Sequence, residues 1–567
     1  MYFLPIFFVL FFFFTGGVGA DSLRTPRTTS SGIEFIYRSV ADLQSVALIG
    51  TFNGWNRKSH PMEKTNSQWH IALPLDEGQY EYKFILNDTL EISDPLNPLT
   101  NPDGSGNSMF FVLPDRSLDT TTAEVGEDSP GIYYRLYQAQ PSPDWAAGSI
   151  IYELFPRVYT AEANFKGLTQ KLPYLNDLGI NVLWLMPIYP IGEVKRKGAL
   201  GSPYSVKDYQ AINPEFGASE DFREWVQTAH SMGFKVILDW VANHCAWDNP
   251  MVEEHPDWFT RDADGEMVPP YPDWSDVVDF DYHNTGLQAY MIKSLLYWVE
   301  TYDIDGFRCD VAGLVPAAFW VAARRELLAI KPSLLLLAES EEPMHHIKGF
   351  DVTYDGSLRR ILGKIANGKA TQDEFWLNYY GTRYLYPRNS LRMRWLENHD
   401  QIRSLEYFGE DAIYPASVAL LTLDEVPLIL MGQEFGDLNW RNWQSLFDPL
   451  QLEWFKNGSP LYQHYRELIR IRRENPVFST DSVVSIRNDN PWIVSYVRRD
   501  PSATILVFIN MSNRSAKCRL NPEDWNTHQL PQKLRGQDIF YHLPFSVSFE
   551  QAVFELKPWG FKILKLE

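Results

Sequence analysis

The sequence predicts a (β/α)8 (TIM) barrel flanked on each side by a β-sandwich. Three observations predict it. Apolar strands and amphipathic helices alternate for about 300 residues. Short alternating strands with turn clusters stand before and after that stretch. The chain has 567 residues, too many for a single hydrophobic core.

For the barrel, the sequence places apolar strands at 150–155, 182–187, 235–239, 306–310, 334–339, 392–397 and 428–432, with helical segments such as 222–232 and 287–301 between them. Repeated strand–helix alternation calls for a parallel sheet, and the length suits eight-fold closure. The stretch 241–285 is too long for a plain βα loop and is rich in Trp, Pro and Asp, so a small inserted domain is expected after strand 3.

Residues 32–114 read as an N-terminal β-sandwich, with strands at 46–49, 69–73, 80–86 and 109–113 and turns at Asn53-Gly54 and Asn87-Asp88. Polar residues 115–131 read as a linker, 132–475 as the barrel, and 476–567 as a C-terminal β-sandwich with strands at 492–497, 505–510, 553–556 and 561–566. Residues 1–20 carry an apolar run at 2–14 followed by small residues, the pattern of a signal peptide, although no Lys or Arg precedes the run. That run falls short of the ~20 residues a membrane span needs, so no stable membrane insertion and a secreted or periplasmic location are expected. Three cysteines, Cys245, Cys309 and Cys518, show no metal-ligand spacing and read as buried thiols.

The formal charge of −21 argues against nucleic acid or an anionic membrane as partner, since both call for a basic surface. Aromatic residues make up 14% of the chain, with 19 Trp, which suits a neutral ligand with flat apolar faces as well as it suits a large α/β core.

Four of the expected barrel strands end abruptly in polar residues: Asp239 through Asn243-His244 after strand 3, Arg308-Cys309-Asp310 at strand 4, Glu339 at strand 5, and Glu397-Asn398-His399-Asp400 at strand 7. One carboxylate after a buried strand is more often a helix cap or an ion-pair partner than a catalyst. Four such endings at the C-terminal ends of one barrel's strands, where these folds build their active sites, are harder to dismiss. Paired carboxyls there suit glycoside hydrolysis, which needs one neutral and one ionised carboxyl. Arg308 is two residues from Asp310 on one strand face and can hold it ionised. Glu339 follows a wholly apolar strand, which raises its pKa as a general acid requires.

Asp-x-Val-x-Asn-His at 239–244, Gly-Phe-Arg-x-Asp at 306–310, Glu339 and Asn-His-Asp at 398–400 resemble, in order, the four signature regions of the α-amylase superfamily. The resemblance implies a retaining α-glucan hydrolase acting on starch, maltooligosaccharides or cyclodextrins, with α-1,4 bonds the first choice. It implies Asp310 as nucleophile, Glu339 as general acid/base about 5 Å away, and Asp400 as the group gripping ring hydroxyls. It also implies sugar contacts for His244, His399 and Tyr204, and a role for Asp239 in ordering Arg308. Asn243 and Asp279 match family calcium ligands, but Leu314 stands where the family carries a His, which removes a contributor from a cation needing six to eight ligands.

The N-terminal segment resembles glycogen- and starch-binding modules through Gly50-Thr-Phe-Asn-Gly-Trp55, Tyr80-Glu-Tyr-Lys83, Asp94-Pro95 and Gly106-Asn107-Ser108. Trp55 and Lys83 match its glucan contacts, while Leu90-Glu91-Ile92 occupies the place of a second stacking Trp. Relatives with such a module also form homodimers, which makes a homodimer a further expectation. Two rival readings share the scaffold. A transglycosylase or branching enzyme uses the same carboxylates. A non-catalytic glucan-binding or transporter-subunit relative would have lost carboxylates that are all present here.

Overall fold

The computed structural model describes residues 26–567 apart from 39–42, 66–67, 89, 93, 95–96, 98–106, 113–117, 120–124, 130–131, 136–138 and 455–458. The expected signal peptide at 1–20 lies outside the described residues, as does most of the expected linker. Two compact units divide near residue 125.

In the larger unit, eight parallel strands close into a barrel: β1 (Ile151–Leu154), β2 (Val182–Leu185), β3 (Lys235–Trp240), β4 (Gly306–Cys309), β5 (Leu335–Ala338), β6 (Val352–Asp355), β7 (Leu391–Trp395) and β8 (Val426–Leu430), with β1 also pairing β8. Side chains alternate across each strand. One set, including Ile151, Val182, Ile237, Leu335, Val352, Met393 and Leu428, fills the barrel interior. The other set joins the surrounding helices in one large core that includes Leu183, Val236, Phe307 and Leu336. Gly306 opens β4 because a Cβ there would meet the Leu335 carbonyl oxygen at 2.2 Å. Local chemistry fixes several helix ends. Asn164 caps Phe165–Leu178 by accepting from Gly167 N–H, and Gly179 ends it at φ 95°. Asn284 caps Thr285–Tyr302.

The sixth strand, Val352–Asp355, has no counterpart among the strands read from sequence. It is four residues long and carries Thr353 and Asp355, so its apolar pattern is thin. The stretch after β3 holds a two-stranded sheet (His244–Ala246 with Val277–Asp279), a short α-helix (Met251–Glu254), a 3-10 turn (Pro256–Trp258) and loops.

The C-terminal residues form a six-stranded sheet and a two-stranded sheet around their own core, which holds Trp525, Phe508 and Phe554. The outer face of the larger sheet (Val494, Tyr496, Ile505, Val507, Ile563) belongs to the barrel's core. Arg498 reaches across to the carbonyls of Thr422, Val477 and Thr480, and Gln372 bonds the carbonyls of Asn488 and Asn490.

In the smaller unit, a four-stranded and a five-stranded sheet enclose a core with Phe35, Leu48, Tyr82, Phe84 and Phe110. Asp94 accepts from Tyr82 Oη at 2.6 Å, and Asn97 donates to Tyr82 Oη and to the Met109 carbonyl, so this part of the module motif ties strands together. Within the expected linker, Leu118–Asp119 pairs with the strand Ser108–Val112, and Val125–Ser129 forms a hairpin with Ile132–Arg135. Val125, Ile132, Tyr133 and Tyr134 supply β preference for the hairpin. No helix among the described residues is long and apolar enough to cross a membrane.

At the foot of β4, Asp305 is buried and accepts from His230 Nε2 (2.7 Å), Lys235 Nζ (3.0 Å) and Val236 N–H (3.0 Å), with Lys331 Nζ 3.2 Å away. Burial raises its pKa, but these partners outweigh it and hold the carboxyl well below the usual range. Its stabilisation is therefore present above the unfolded-state value of ~3.9 and is lost as pH falls below it. Asp305→Ala should cost about 3–5 kcal/mol in urea unfolding at pH 7, with a smaller penalty below pH ~3.5.

Candidate active site

Polar side chains enter the barrel interior only at the C-terminal ends of the strands. On β4 the inward positions are Gly306, Arg308 and then Asp310 just beyond the strand, so the alternation that fills the floor with apolar groups puts a guanidinium and a carboxylate above it. Register sets Asp239 of β3 beside Arg308. The Arg308 side chain is fully buried. Its Nη1 donates to Asp239 Oδ1 (2.9 Å) and Asp310 Oδ1 (2.8 Å), its Nε donates to Tyr354 Oη (3.0 Å), and its Nη2 lies 2.8 Å from Glu339 Oε2. Glu339 Oε2 also accepts the Val311 N–H at 2.8 Å. Val311 holds φ 38°, a left-handed conformation costly for a β-branched residue, and that geometry aims its N–H at Glu339.

Burial pushes Glu339 up to about 7 and Asp310 up to about 6; Arg308 pulls both back, and the neighbouring carboxylates push both up. Crowded acids around one cation cannot all ionise together, so the site holds a proton near neutral pH.

Tyr204 and His399 close a second layer. Tyr204 Oη donates to Asp239 Oδ2 (3.1 Å) and lies 2.9 Å from His399 Nε2, and the two rings stack at 5.6 Å and 16°. Trp184 Nε1 also donates to Asp239 Oδ2. His399 Nδ1 meets Glu153 Oε1 at 2.6 Å, and Asp400 Oδ2 lies 3.6 Å from His399 Nε2. Burial works against the imidazolium, but Asp400 and Glu153 overcome it and push the His399 pKa up to about 10. His244 sits edge-on to Trp274 at 5.4 Å, and burial lowers its pKa to about 3, so it is neutral.

These groups line a cavity of about 570 Å3, which Asp310, Glu339, Asp400, Tyr204, His244 and His399 share. Its rim comes from three loops: Lys197 after β2, Trp274 and Asp276 of the insert, and Trp443 and Phe447 after β8. Lys197 pairs with Asp276 at 2.8 Å and donates to the Asp273 carbonyl, tying two of those loops together.

Of the residues singled out from sequence, Asp310, Glu339, Asp400, Arg308, Tyr204, His244, His399 and Asp239 come together here. Trp55 and Lys83 stand in the smaller unit, where Trp55 is partly exposed at φ 60° and its N–H returns to the Gly50 carbonyl; Ile49 pairs with Lys83. Asn243 and Asp279 are neighbours across the two-stranded sheet, but Asn243 Nδ2 donates to Asp279 Oδ1 at 3.2 Å. They are bonded to each other, and no group of three or more His, Cys, Asp or Glu among the described residues could hold a metal. Asn243 and Asp279 bring one amide and one carboxylate toward the six to eight oxygen ligands calcium takes. All three cysteines are buried and free.

Sequence reading did not pick out Glu153, Trp184, Tyr354, Trp274 or Trp443. Glu153 is a single acid within the apolar run Ile-Tyr-Glu-Leu-Phe, and strand alternation alone would have pointed it into the barrel.

Comparison with known proteins agrees with this geometry. The family model for the α-amylase catalytic domain matches residues 111–276, and that for the glycogen recognition site of AMP-activated protein kinase matches 34–117. The chain is 26% identical to a maltogenic α-amylase of Bacillus acidopullulyticus over 90% of this chain and 92% of that one. It is 27% identical to the α-amylase MalA of Haloarcula japonica over 70% of this chain, spanning 60% of that protein's length. Among solved structures, the noncanonic maltogenic α-amylase AmyB from Thermotoga neapolitana is 34% identical, with a TM-score of 0.69, over 74% of this chain and 99% of that one. The chain belongs to the α-amylase family of glycoside hydrolases.

Glu153→Gln keeps the shape but removes the charge that helps hold His399 protonated. It should lower kcat/KM about ten- to a hundredfold, the 1.5–3 kcal/mol of a charged hydrogen bond. Because the His399 pKa then falls from about 10, an NMR titration of the His399 imidazole should show its midpoint move to lower pH. An unshifted midpoint would show that His399 does not depend on Glu153.

Proposed function

We propose that this chain is a retaining hydrolase of α-1,4-glucosidic bonds in starch, maltooligosaccharides or cyclodextrins, with Asp310 as nucleophile and Glu339 as acid/base. One observation carries the reading: Arg308 holds one oxygen of each carboxyl and leaves the other free in the cavity. Asp310 Oδ1 is taken by Arg308, so Oδ2 is the attacking atom. Glu339 Oε2 is taken by Arg308 and the Val311 N–H, so its proton is carried on Oε1.

In the first step Oδ2 of Asp310 bonds to the anomeric carbon while the bond to the glycosidic oxygen breaks and that oxygen takes the Glu339 proton. In the second step Glu339 removes a proton from water, the water oxygen bonds to the anomeric carbon, and Asp310 is released. Two inversions give net retention. Asp400 and the His399 imidazolium bind ring hydroxyls, and Tyr204 stacks against the sugar face. Burial of Glu339 supports its role, because a carboxyl that holds its proton to about 7 can donate it under mild conditions. The maltogenic activity named for the relatives agrees with an α-1,4 preference.

Asp310→Asn should lower turnover of maltoheptaose by about 10⁴-fold or more while the variant still binds it. NMR of the first product should show the α-anomer. Activity should decline above about pH 7 as Glu339 loses its proton. Full activity in Asp310→Asn would overturn the assignment. Products longer than maltoheptaose would favour the transglycosylase reading, and incubation with starch, pullulan, cyclodextrin and isomaltose reads the bond preference directly.

A further inference from the structure

A second cavity, about 760 Å3, opens where the helices Ile413–Thr422 and Pro460–Glu474 meet the turns that precede the strands Leu543–Ser548 and Phe561–Leu566. All of these elements belong to the larger unit, and none of the residues lining this cavity lines the catalytic one. Its walls combine rings with polar tips. Tyr541 is 50% exposed, yet its ring is held flat by stacking on Phe561 at 5.6 Å and 24°, which leaves the opposite face to solvent. Trp559 adds a second ring from the Lys557–Gly560 turn. That turn is pinned by Gly560 N–H to the Lys557 carbonyl and by Trp559 N–H to the Ser512 carbonyl. Trp559 holds φ 53°, a region that costs a bulky residue energy, so the fold keeps an indole where a glycine would fit with less strain. Tyr414 lines the wall contributed by the helices.

Part of this cavity's polar lining is bonded within the protein: His464 meets Ser417 Oγ and the Tyr414 carbonyl, and Glu467 accepts from Arg470. The rest is not. Within the described residues, the side chains of Asp411, Gln463 and Lys557, the Trp559 indole N–H and the Tyr541 hydroxyl make no hydrogen bond to another residue. Fixed rings with an acid, an amide and donors at their edges match a sugar, whose C–H faces stack and whose equatorial hydroxyls both donate and accept. The catalytic cavity uses the same combination, with Tyr204 and Trp274 beside carboxylates and histidines. A second copy of the chain would have to desolvate Asp411 and Lys557, whereas a neutral hydroxylated chain can bond them at the rim.

We propose that this cleft is a glucan-binding site separate from the catalytic cavity, in which Tyr541 and Trp559 stack against consecutive glucose units of an α-glucan chain. The proposal rests on the α-glucan reading of the catalytic site and adds a hold on the polymer away from the scissile bond.

The test is affinity electrophoresis of the full chain in gels containing amylose. Every chain carries Asp310→Asn to prevent digestion and Trp55→Ala to remove the N-terminal module's ring from the measurement. Tyr541→Ala and Trp559→Ala should each weaken retention roughly tenfold, and Trp559→Phe should retain most of it. In chains with Asp310 intact, the same substitutions should leave kcat/KM on maltotriose within about twofold of the parent. Unchanged retention in folded Tyr541→Ala would overturn the proposal; that variant removes a half-exposed ring and spares the strained turn. A parallel loss on maltotriose would also overturn it, since the cleft would then serve the catalytic site. So would a change in oligomeric mass accompanying the lost retention, since the face would then join two copies. Absence of glucan hydrolysis in the parent would instead sink the reading of the catalytic site, which separates the two failures.

Discussion

Arg308 is fully buried, and a buried guanidinium is tolerated only where carboxylates and hydroxyls surround it. The rest of the site follows from that constraint. Asp239 comes from the neighbouring strand by register, Asp310 from the same strand by alternation, Glu339 from the next strand, and Tyr354 from the one after. Four consecutive strands are thereby committed to one cation. Because each contact uses a particular oxygen, the free oxygen of each proposed catalytic carboxyl is also determined. The groups that hold the charge in place are the same groups that aim the chemistry.

The barrel interior changes character along its axis. Below, Ile237, Leu335, Val352 and Leu428 make an ordinary apolar floor. Above, Glu153, Asp239, Arg308 and His399 make a buried layer of alternating charge. An apolar floor keeps the dielectric low under that layer, which strengthens the pairings and raises the proton affinity of whichever acid is least well paired. The strained peptide at Val311 belongs to the same economy of position: it spends backbone conformational energy to bring one more donor to Glu339.

Much of this was legible in the sequence, for physical reasons. A strand that ends in acids or His marks the point where the chain leaves the core, so Asp239, Asp310, Glu339 and the His399-Asp400 pair stand out together at four strand ends, although Arg308, Arg392 and Arg394 interrupt the apolar pattern of two of those strands. The sixth strand could not, because four residues with Thr353 and Asp355 carry too little apolar signal. Glu153 was overlooked since its partner His399 lies 246 residues away, and pairing over that distance leaves no local trace. Trp274 and Trp443 reach the cavity from loops, whose paths obey no periodicity. Asn243 and Asp279, which the resemblance matches to calcium ligands, are hydrogen-bonded to each other, a pairing that the sequence does not show.

The six-stranded C-terminal sheet covers a core of its own with one face, while its other face is continuous with the helical layer of the barrel, and Arg498 and Gln372 stitch the two by backbone carbonyls. The smaller unit keeps a core to itself. The two ends of the chain therefore have different freedom over evolutionary time. A module with a core of its own can be exchanged, duplicated or deleted by recombination with that core intact. A sheet whose removal would strip Val494, Tyr496, Ile505 and Ile563 from the barrel's core has to be inherited with it.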